Sequence, residues 1–144
     1  MRRLLLAIGF CFAGYALTAQ NFEVAALEDS YKGAVGEVIQ APIKIKNTFD
    51  KPITLVIRRL ETQIGSTQRN FFCPDNNCLD QRTDTYTVRL DPGETLERFS
   101  IGLDAGLTEG FSSVKYQVFN KTNPTEVSVI DINYAVEAKA EKGH

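Results

Sequence analysis

The sequence predicts an all-β protein, an antiparallel immunoglobulin-like β-sandwich of about seven or eight strands that follows an N-terminal signal peptide. Three observations predict this fold class. Apolar and polar residues alternate over several runs, clusters of Asn, Asp, Pro and Gly separate those runs, and no stretch sustains the 3.6-residue period of an amphipathic helix. A closed β-barrel is the alternative arrangement of the same strands.

The N-terminal residues 1–19 have the pattern of a secretory signal peptide. Two arginines precede an apolar run of about a dozen residues, and the segment ends at the small residue Ala19, after which we expect cleavage. The run is shorter than the roughly 20 apolar residues that a membrane span needs, so we expect no membrane span in the mature chain. Cys11 follows the bulky Phe10 early in the run, which disfavours lipidation at this cysteine.

The mature chain is expected to form one domain over residues 20–137, followed by a flexible polar tail at 138–144. The full chain has 16 basic and 18 acidic residues, and loss of the two arginines of the leader would bring the net charge to about −4. No basic cluster occurs beyond Arg58 and Arg59, so nucleic-acid binding is not indicated. Export would place the protein in the periplasm, at the outer membrane or outside the cell.

The first predicted strands are alternating runs at Phe22–Ala26 and Ile39–Ile45. Pro42 marks the second run as an edge strand or the site of a bulge, because proline has no N–H to donate. After a turn at Asn47–Pro52, the run Ile53–Ile57 is apolar at consecutive positions, which predicts a central strand covered on both faces.

The later strands keep the period of two. Their apolar positions lie in Tyr86–Leu90, Phe99–Leu103, Val114–Val118 and Val127–Val136. Proline and glycine predict a turn at Asp91–Glu94, and a second turn is expected at Asn120–Pro124. The apolar phase changes between Val129 and Ile130, which predicts a β-bulge there.

Several motifs give the chain a resemblance to a known group of domains. They are Gly36-Glu37, the run Ile43–Leu55, Phe72-Cys73 with Cys78, the turn Leu90–Glu94, and Val114–Asn120 followed by Asn123-Pro124. The chain thereby resembles Ig-like domains of secreted proteins from Bacteroidota and, distantly, the Hydin and major-sperm-protein type of sandwich. The resemblance covers most of the mature chain but consists of turns and core positions, so it implies a fold and a lineage. Such domains are often appended to an enzyme or a sorting signal; here no C-terminal sorting domain is visible, which favours a periplasmic or outer-membrane-associated location.

Two cysteines, Cys73 and Cys78, bracket the turn-forming residues Pro74–Asn77. Since export leads to an oxidising compartment, we expect them to form a disulfide with Cα atoms about 5.5 Å apart. So small a ring contributes about 2 kcal/mol or less. A redox pair would need Cys-X-X-Cys at a helix N-terminus, and zinc would need two further ligands although His144 is the only histidine.

Few residues of this sequence could bind a metal or act in catalysis. Oxygen ligands for calcium are available at Asp75, Asn76, Asn77, Asp80 and Asp84. They lack the spacing of a dedicated calcium loop and are typical turn residues, so we expect no metal and no cofactor. Without a usable histidine, no Ser-His or Cys-His arrangement is available. A pair of carboxylates for glycoside chemistry stays open, but Asp131 is expected to face water, and no catalytic residue is assigned.

The remaining candidates are recognition surfaces. Phe71 and Phe72 stand directly before the cysteine loop, where one could be an exposed anchor, or one could pack under the loop and one in the core. The loop residues Asp75, Asn76 and Asn77 would flank them. Arg58 and Arg59 are a further candidate, because an arginine at a strand end could clamp a carboxylate or phosphate.

We therefore expect a non-catalytic module that binds another protein of the cell envelope, as a small accessory subunit, through the loop and its aromatics or through a free sheet edge such as the Pro42 strand. A carbohydrate-binding or adhesion module is the second hypothesis, although the absence of tryptophan counts against it. An enzyme ranks last. This step is an analogy from fold and compartment.

Overall fold

The structure is a computed structural model that describes residues 20–25 and 27–139. The predicted signal peptide 1–19, Ala26 and the tail residues 140–144 lie outside the described residues. Within the described part of the chain, no helix is long and apolar enough to cross a membrane.

Eleven β-strands make up the regular structure of the described residues. They are β1 Phe22–Val24, β2 Tyr31–Ala34, β3 Val38–Pro42, β4 Ile45–Asn47, β5 Ile53–Gln63, β6 Arg69–Pro74, β7 Thr85–Leu90, β8 Thr95–Leu96, β9 Phe99–Asp104, β10 Gly110–Asn120 and β11 Asn123–Glu137. The number exceeds the expected count of about seven or eight because β1, β2, β4 and β8 are fragments of two to four residues. The predicted all-β class is confirmed.

The strands form two facing layers. One is a five-stranded sheet in the order β2-β11-β10-β5-β7, and the other consists of the three-stranded sheets β3-β9-β6 and β1-β4-β8. All pairs are antiparallel except β2 with β11. As predicted, the strand that begins at Ile53 is central, with β10 and β7 on its two sides.

The core lies between the two layers. Its largest fully buried side chains come from both layers and include Leu55, Ile57, Tyr116 and Ile132 on one side, and Phe72 and Ile101 on the other. Burying an aliphatic side chain of this kind stabilises the fold by about 1.5–3 kcal/mol. The alternation seen in the sequence therefore corresponds to inward-facing positions.

Pro42 ends an edge strand, as predicted. Among the strands of the described residues, β3 pairs with β9 alone. The chain then leaves this sheet for two residues and enters β4, which pairs with β1 and β8. Ile43 and Ile45 stay fully buried across this switch, so one alternating run supplies two strands in different sheets.

The predicted bulge between Val129 and Ile130 is wrong. Both residues continue the regular pairing of β11 with β10, and the irregularity lies instead at Phe119 and Asn120, next to the hairpin turn. Ile130 is buried and Val129 is 54% exposed. The apparent change of phase arises because a valine occupies the outer face, while Asp131 faces water as expected.

Candidate functional site

The loop after β6 is closed by a disulfide between Cys73 and Cys78, as predicted. Their Cα atoms are 3.9 Å apart, which is closer than the expected separation of about 5.5 Å. Asp75 and Asn76 both have positive φ angles, of 52° and 67°, which asparagine and aspartate tolerate better than most residues. The Asp75 N–H donates to the carbonyl of Arg98 at 2.6 Å, which ties the loop to the start of β9.

The adjacent residues Phe71 and Phe72 point to opposite faces of β6. Phe72 is fully buried and packs against Tyr116, with ring centroids 5.5 Å apart. It is therefore unavailable to a partner, and its candidacy as a binding residue is corrected: the alternation of a strand sends one of two neighbours inward. Phe71 is half-buried on the outer face.

Phe71 lies over Gly102 of the neighbouring strand β9. A Cβ atom at Gly102 would stand 2.6 Å from Cε2 of Phe71 and 3.2 Å from Sγ of Cys73, so the ring occupies the space that a side chain would fill. A cleft of about 550 Å³ adjoins it and is lined by Val38, Leu79 and Cys78 among others. Val38 is 49% exposed. We call this surface, made of Val38, Phe71, Leu79 and the disulfide, the Phe71 face.

Paired charges surround the Phe71 face. Arg69 Nη2 lies 2.7 Å from Asp104 Oδ2, and Arg82 Nη2 lies 3.1 Å from Asp80 Oδ2. The hydrogen bond from Arg69 holds the pKa of Asp104 below its usual value, and burial opposes this. Arg82 lowers the pKa of Asp80 in the same way at a fully exposed site. Both carboxylates are thus ionised partners of arginines, which gives the rim no large net charge.

Arg58 and Arg59 differ in exposure, as Phe71 and Phe72 do. Arg58 is exposed, and its guanidinium carbon lies 5.1 Å from the ring centroid of Phe119. The side chain of Arg59 is only 12% exposed and forms an ion pair with Asp84, with Nη1 and Oδ1 2.6 Å apart. Arg59 is therefore already engaged inside the protein, and the idea that it clamps an external anion is corrected.

A buried polar network explains the position of Arg59. Its Nε donates to Oδ1 of Asn70 at 2.8 Å, and the hydroxyl of Tyr116 donates to the same oxygen at 2.5 Å. The Asn70 amide in turn donates to the carbonyl of Gly102 at 3.0 Å. Burial raises the pKa of Tyr116, against the effect of Arg59, so the phenol stays protonated as a donor. Ile53, Leu55 and Ile57 face inward, and continuing that alternation would have placed Arg59 inward as well.

The loop residues Asp75, Asn76 and Asn77 are exposed. Asp75 Oδ1 lies 3.6 Å from Nη1 of Arg98. Among residues 20–25 and 27–139, no group of three or more His, Cys, Asp or Glu side chains is placed to hold a metal ion.

One exposed aromatic was missed by the sequence analysis. Phe111 is 90% exposed on the outer face of β10, and a cleft of about 440 Å³ beside it is lined by Gln63, Ser113 and Asn133 among others. Gly110 and Phe111 lie outside the clear alternation that begins at Val114, which is why the pattern did not single them out.

Comparison with protein-family models and with curated proteins found no match. Solved structures do match. The N-terminal domain of PorA has 12% identity and a TM-score of 0.55, covering 83% of this chain and 99% of that one. The PapD-like domain 7 of human CEP192 has 8% identity and a TM-score of 0.56, covering 94% and 99%. E. coli alpha-2-macroglobulin has 18% identity and a TM-score of 0.57, covering 83% of this chain and 7% of its own. At these identities the likenesses establish the Ig-like, PapD-like sandwich fold.

Proposed function

We propose that this chain is an exported, non-catalytic protein-binding module that serves as a small accessory subunit of a cell-envelope complex, in the periplasm or at the outer membrane. In this proposal residues 1–19 are the leader, 20–137 the binding domain and 138–144 a flexible tail. The fold and the resemblance of the sequence motifs to secreted Bacteroidota domains support the proposal.

One observation carries the binding assignment: the ring of Phe71 occupies the space above Gly102, on the outer face of the sandwich, beside a loop that a disulfide closes. A rigid aromatic surrounded by fixed backbone loses little entropy on binding and makes a good anchor. Glycine at position 102 gives the ring its place, and the disulfide holds the neighbouring backbone.

The chemistry of the Phe71 face indicates the kind of partner. Its centre is apolar, from Val38, Phe71 and Leu79, while the charged side chains at its rim are paired with each other. Protein interfaces have this arrangement of an apolar centre and a polar rim. A protein partner with an uncharged apolar patch fits it better than a nucleic acid or an acidic polymer.

A non-catalytic role is supported by the state of the nucleophiles. Cys73 and Cys78 are joined in a disulfide, so neither sulfur is free to act as a thiolate nucleophile.

The test is co-purification from solubilised envelopes after cross-linking, with the wild-type chain, Phe71→Ala and the control Val129→Ala. Val129 is a comparable exposed apolar residue on the opposite sheet. We expect one protein partner in stoichiometric amount with the wild type and with Val129→Ala, and at least a tenfold lower yield with Phe71→Ala. Equal recovery with all three chains would show that the Phe71 face is not the contact.

Carbohydrate binding is the second candidate, and Phe111 is the observation that favours it. An exposed ring flanked by the amides of Gln63 and Asn133 has the elements for stacking on a sugar and donating hydrogen bonds to it. Binding on a glycan array that is lost in Phe111→Ala and kept in Phe71→Ala would support this function. An array without any binding would reject it.

A further inference from the structure

Strand β7, Thr85–Leu90, forms one edge of the five-stranded sheet, and in the part of the chain that the structure describes it pairs with β5 alone. One hydrogen bond shows which residues of β7 bond to β5: the N–H of Arg59 donates to the carbonyl of Asp84, just before β7, at 2.8 Å. In an antiparallel ladder the residues that bond to the neighbour alternate with residues whose N–H and C=O point away. Tyr86, Val88 and Leu90 therefore bond to β5, and the backbone groups of Thr85, Thr87 and Arg89 face outward.

The other long edges of the sandwich carry features that discourage pairing. β3 ends in Pro42, which has no N–H. On β6, the carbonyl of Phe72 accepts the N–H of Leu79, and the carbonyl of Asn70 accepts from Arg59. β7 has no proline, glycine or lysine in its six residues, and within the described residues no strand pairs with its free edge.

We propose that β7 pairs antiparallel with β7 of a second copy of this chain, on a two-fold axis that passes through Thr87. In this register Thr87 faces Thr87 of the partner copy, and Thr85 faces Arg89. In each of these two pairs, the backbone N–H and C=O groups of both residues point away from β5. Each residue can therefore donate one backbone hydrogen bond to its partner and accept one from it. The two five-stranded sheets then form one continuous sheet.

The side chains are self-complementary in this register. On the inner face, Tyr86 of one copy lies opposite Val88 of the other, an aromatic and β-branched pair of the type that stabilises sheets. Both are only partly buried in the single chain and line a cleft of about 490 Å³ that also includes Leu96. On the outer face no like charges oppose each other, because Arg89 faces a threonine and forms an ion pair with Asp91 of its own chain at 2.9 Å.

A strand of another protein could form the same backbone hydrogen bonds. The two-fold register, however, pairs β7 with itself, so a second copy of this chain is a sufficient partner. An isologous contact is also the commonest form of self-association. The Phe71 face lies on the other layer and shares no residue with this cleft. The inference thus stands apart from the proposed function.

The test is sedimentation equilibrium of the full chain, in the form its host produces, with wild type, Thr87→Glu, Thr87→Lys and the exposed control Thr125→Glu. We expect a dimer for the wild type and the control. Each Thr87 variant should dissociate at least about tenfold more readily, since it sets like charges face to face. An equimolar mixture of the two variants should restore the dimer, because Glu then faces Lys.

This charge-swap rescue is specific to a two-fold axis at position 87. A monomeric wild type would overturn the proposal, as would a dimer that both Thr87 variants retain. Dissociation of both variants without rescue in the mixture would also overturn it, since it would place position 87 off the axis.

Discussion

Arg59 and Asn70 join the two layers of the sandwich. Arg59 lies on β5 of the five-stranded sheet, and its Nε and Nη2 donate to Oδ1 and to the backbone carbonyl of Asn70 on β6, at 2.8 and 2.9 Å. A register shift opposite Lys115 and Tyr116 makes Leu60 an extra residue directly after Arg59. The bulge lets β5 resume its pairing while Arg59 stays directed inward.

Replacing Arg59 by alanine should therefore destabilise the protein strongly. The change leaves the carbonyl of Asn70 without this donor and leaves a void beside Phe72, so we expect a loss of about 2–4 kcal/mol in the free energy of unfolding. Arg58→Ala is the matched control, and losing its contact with Phe119 should cost about 1 kcal/mol or less. Urea unfolding of both variants measures the difference. Equal losses of unfolding free energy in the two variants would mean that the buried hydrogen bonds of Arg59 stabilise the protein no more than the exposed side chain of Arg58 does.

The contrast between Arg58 and Arg59 shows what the sequence could predict. The run Ile53–Ile57 is apolar at consecutive positions, which predicts a central strand, and β5 does lie between β10 and β7. Arginines at the end of such a run are predicted to be a solvated cap of the sheet, because a charged residue is rarely buried unless it is paired. The partner, Asn70, comes from the other sheet, and nothing in local sequence reports such a long-range contact.

The switch between β3 and β4 and the Phe71 face have a similar explanation. A continuous alternating run gives the inward face of Ile43 and Ile45 but not the sheet to which each strand belongs, since pairing depends on distant partners. The disulfide could be predicted from two cysteines and the compartment. The contact of Phe71 with Gly102 could not be predicted, because it requires Gly102 to be the neighbour of Phe71 on the adjacent strand β9.

Reduction of the disulfide is the second prediction. The ring closed by Cys73 and Cys78 is small, so it constrains little of the unfolded chain, and its loss should lower the free energy of unfolding by about 2 kcal/mol or less. Urea unfolding with and without reductant measures this, with the double variant Cys73→Ala, Cys78→Ala as a control that reductant should not affect. A loss above about 4 kcal/mol would mean that the disulfide supports the whole fold rather than the local loop.

The third prediction concerns pH. The pKa of Asp104 is lowered in the folded state, chiefly by the hydrogen bond from Arg69. A lowered folded pKa contributes stability that is present above the unfolded carboxyl value of about 3.9 and is lost as the pH falls through the folded value. Wild type should therefore exceed Asp104→Asn in unfolding free energy at neutral pH, and the gap should narrow on acidification. A gap that stays constant with pH would exclude this ion pair as its cause.

The fourth prediction tests the contact of Phe71 with Gly102 without replacing Phe71. In Gly102→Ala the new methyl group would lie 2.6 Å from Cε2 of Phe71, so the ring must swing away from β9 while the backbone pairing of Gly102 with Phe71 and Gln40 is kept. Partner recovery should fall as far as in Phe71→Ala, with a circular dichroism spectrum that remains that of a β-protein. Ser100→Ala, a half-buried position on the same strand, should bind normally. If Gly102→Ala binds as well as wild type, the partner does not need the Phe71 ring in its position over Gly102. The contact must then be assigned to the cysteine loop alone.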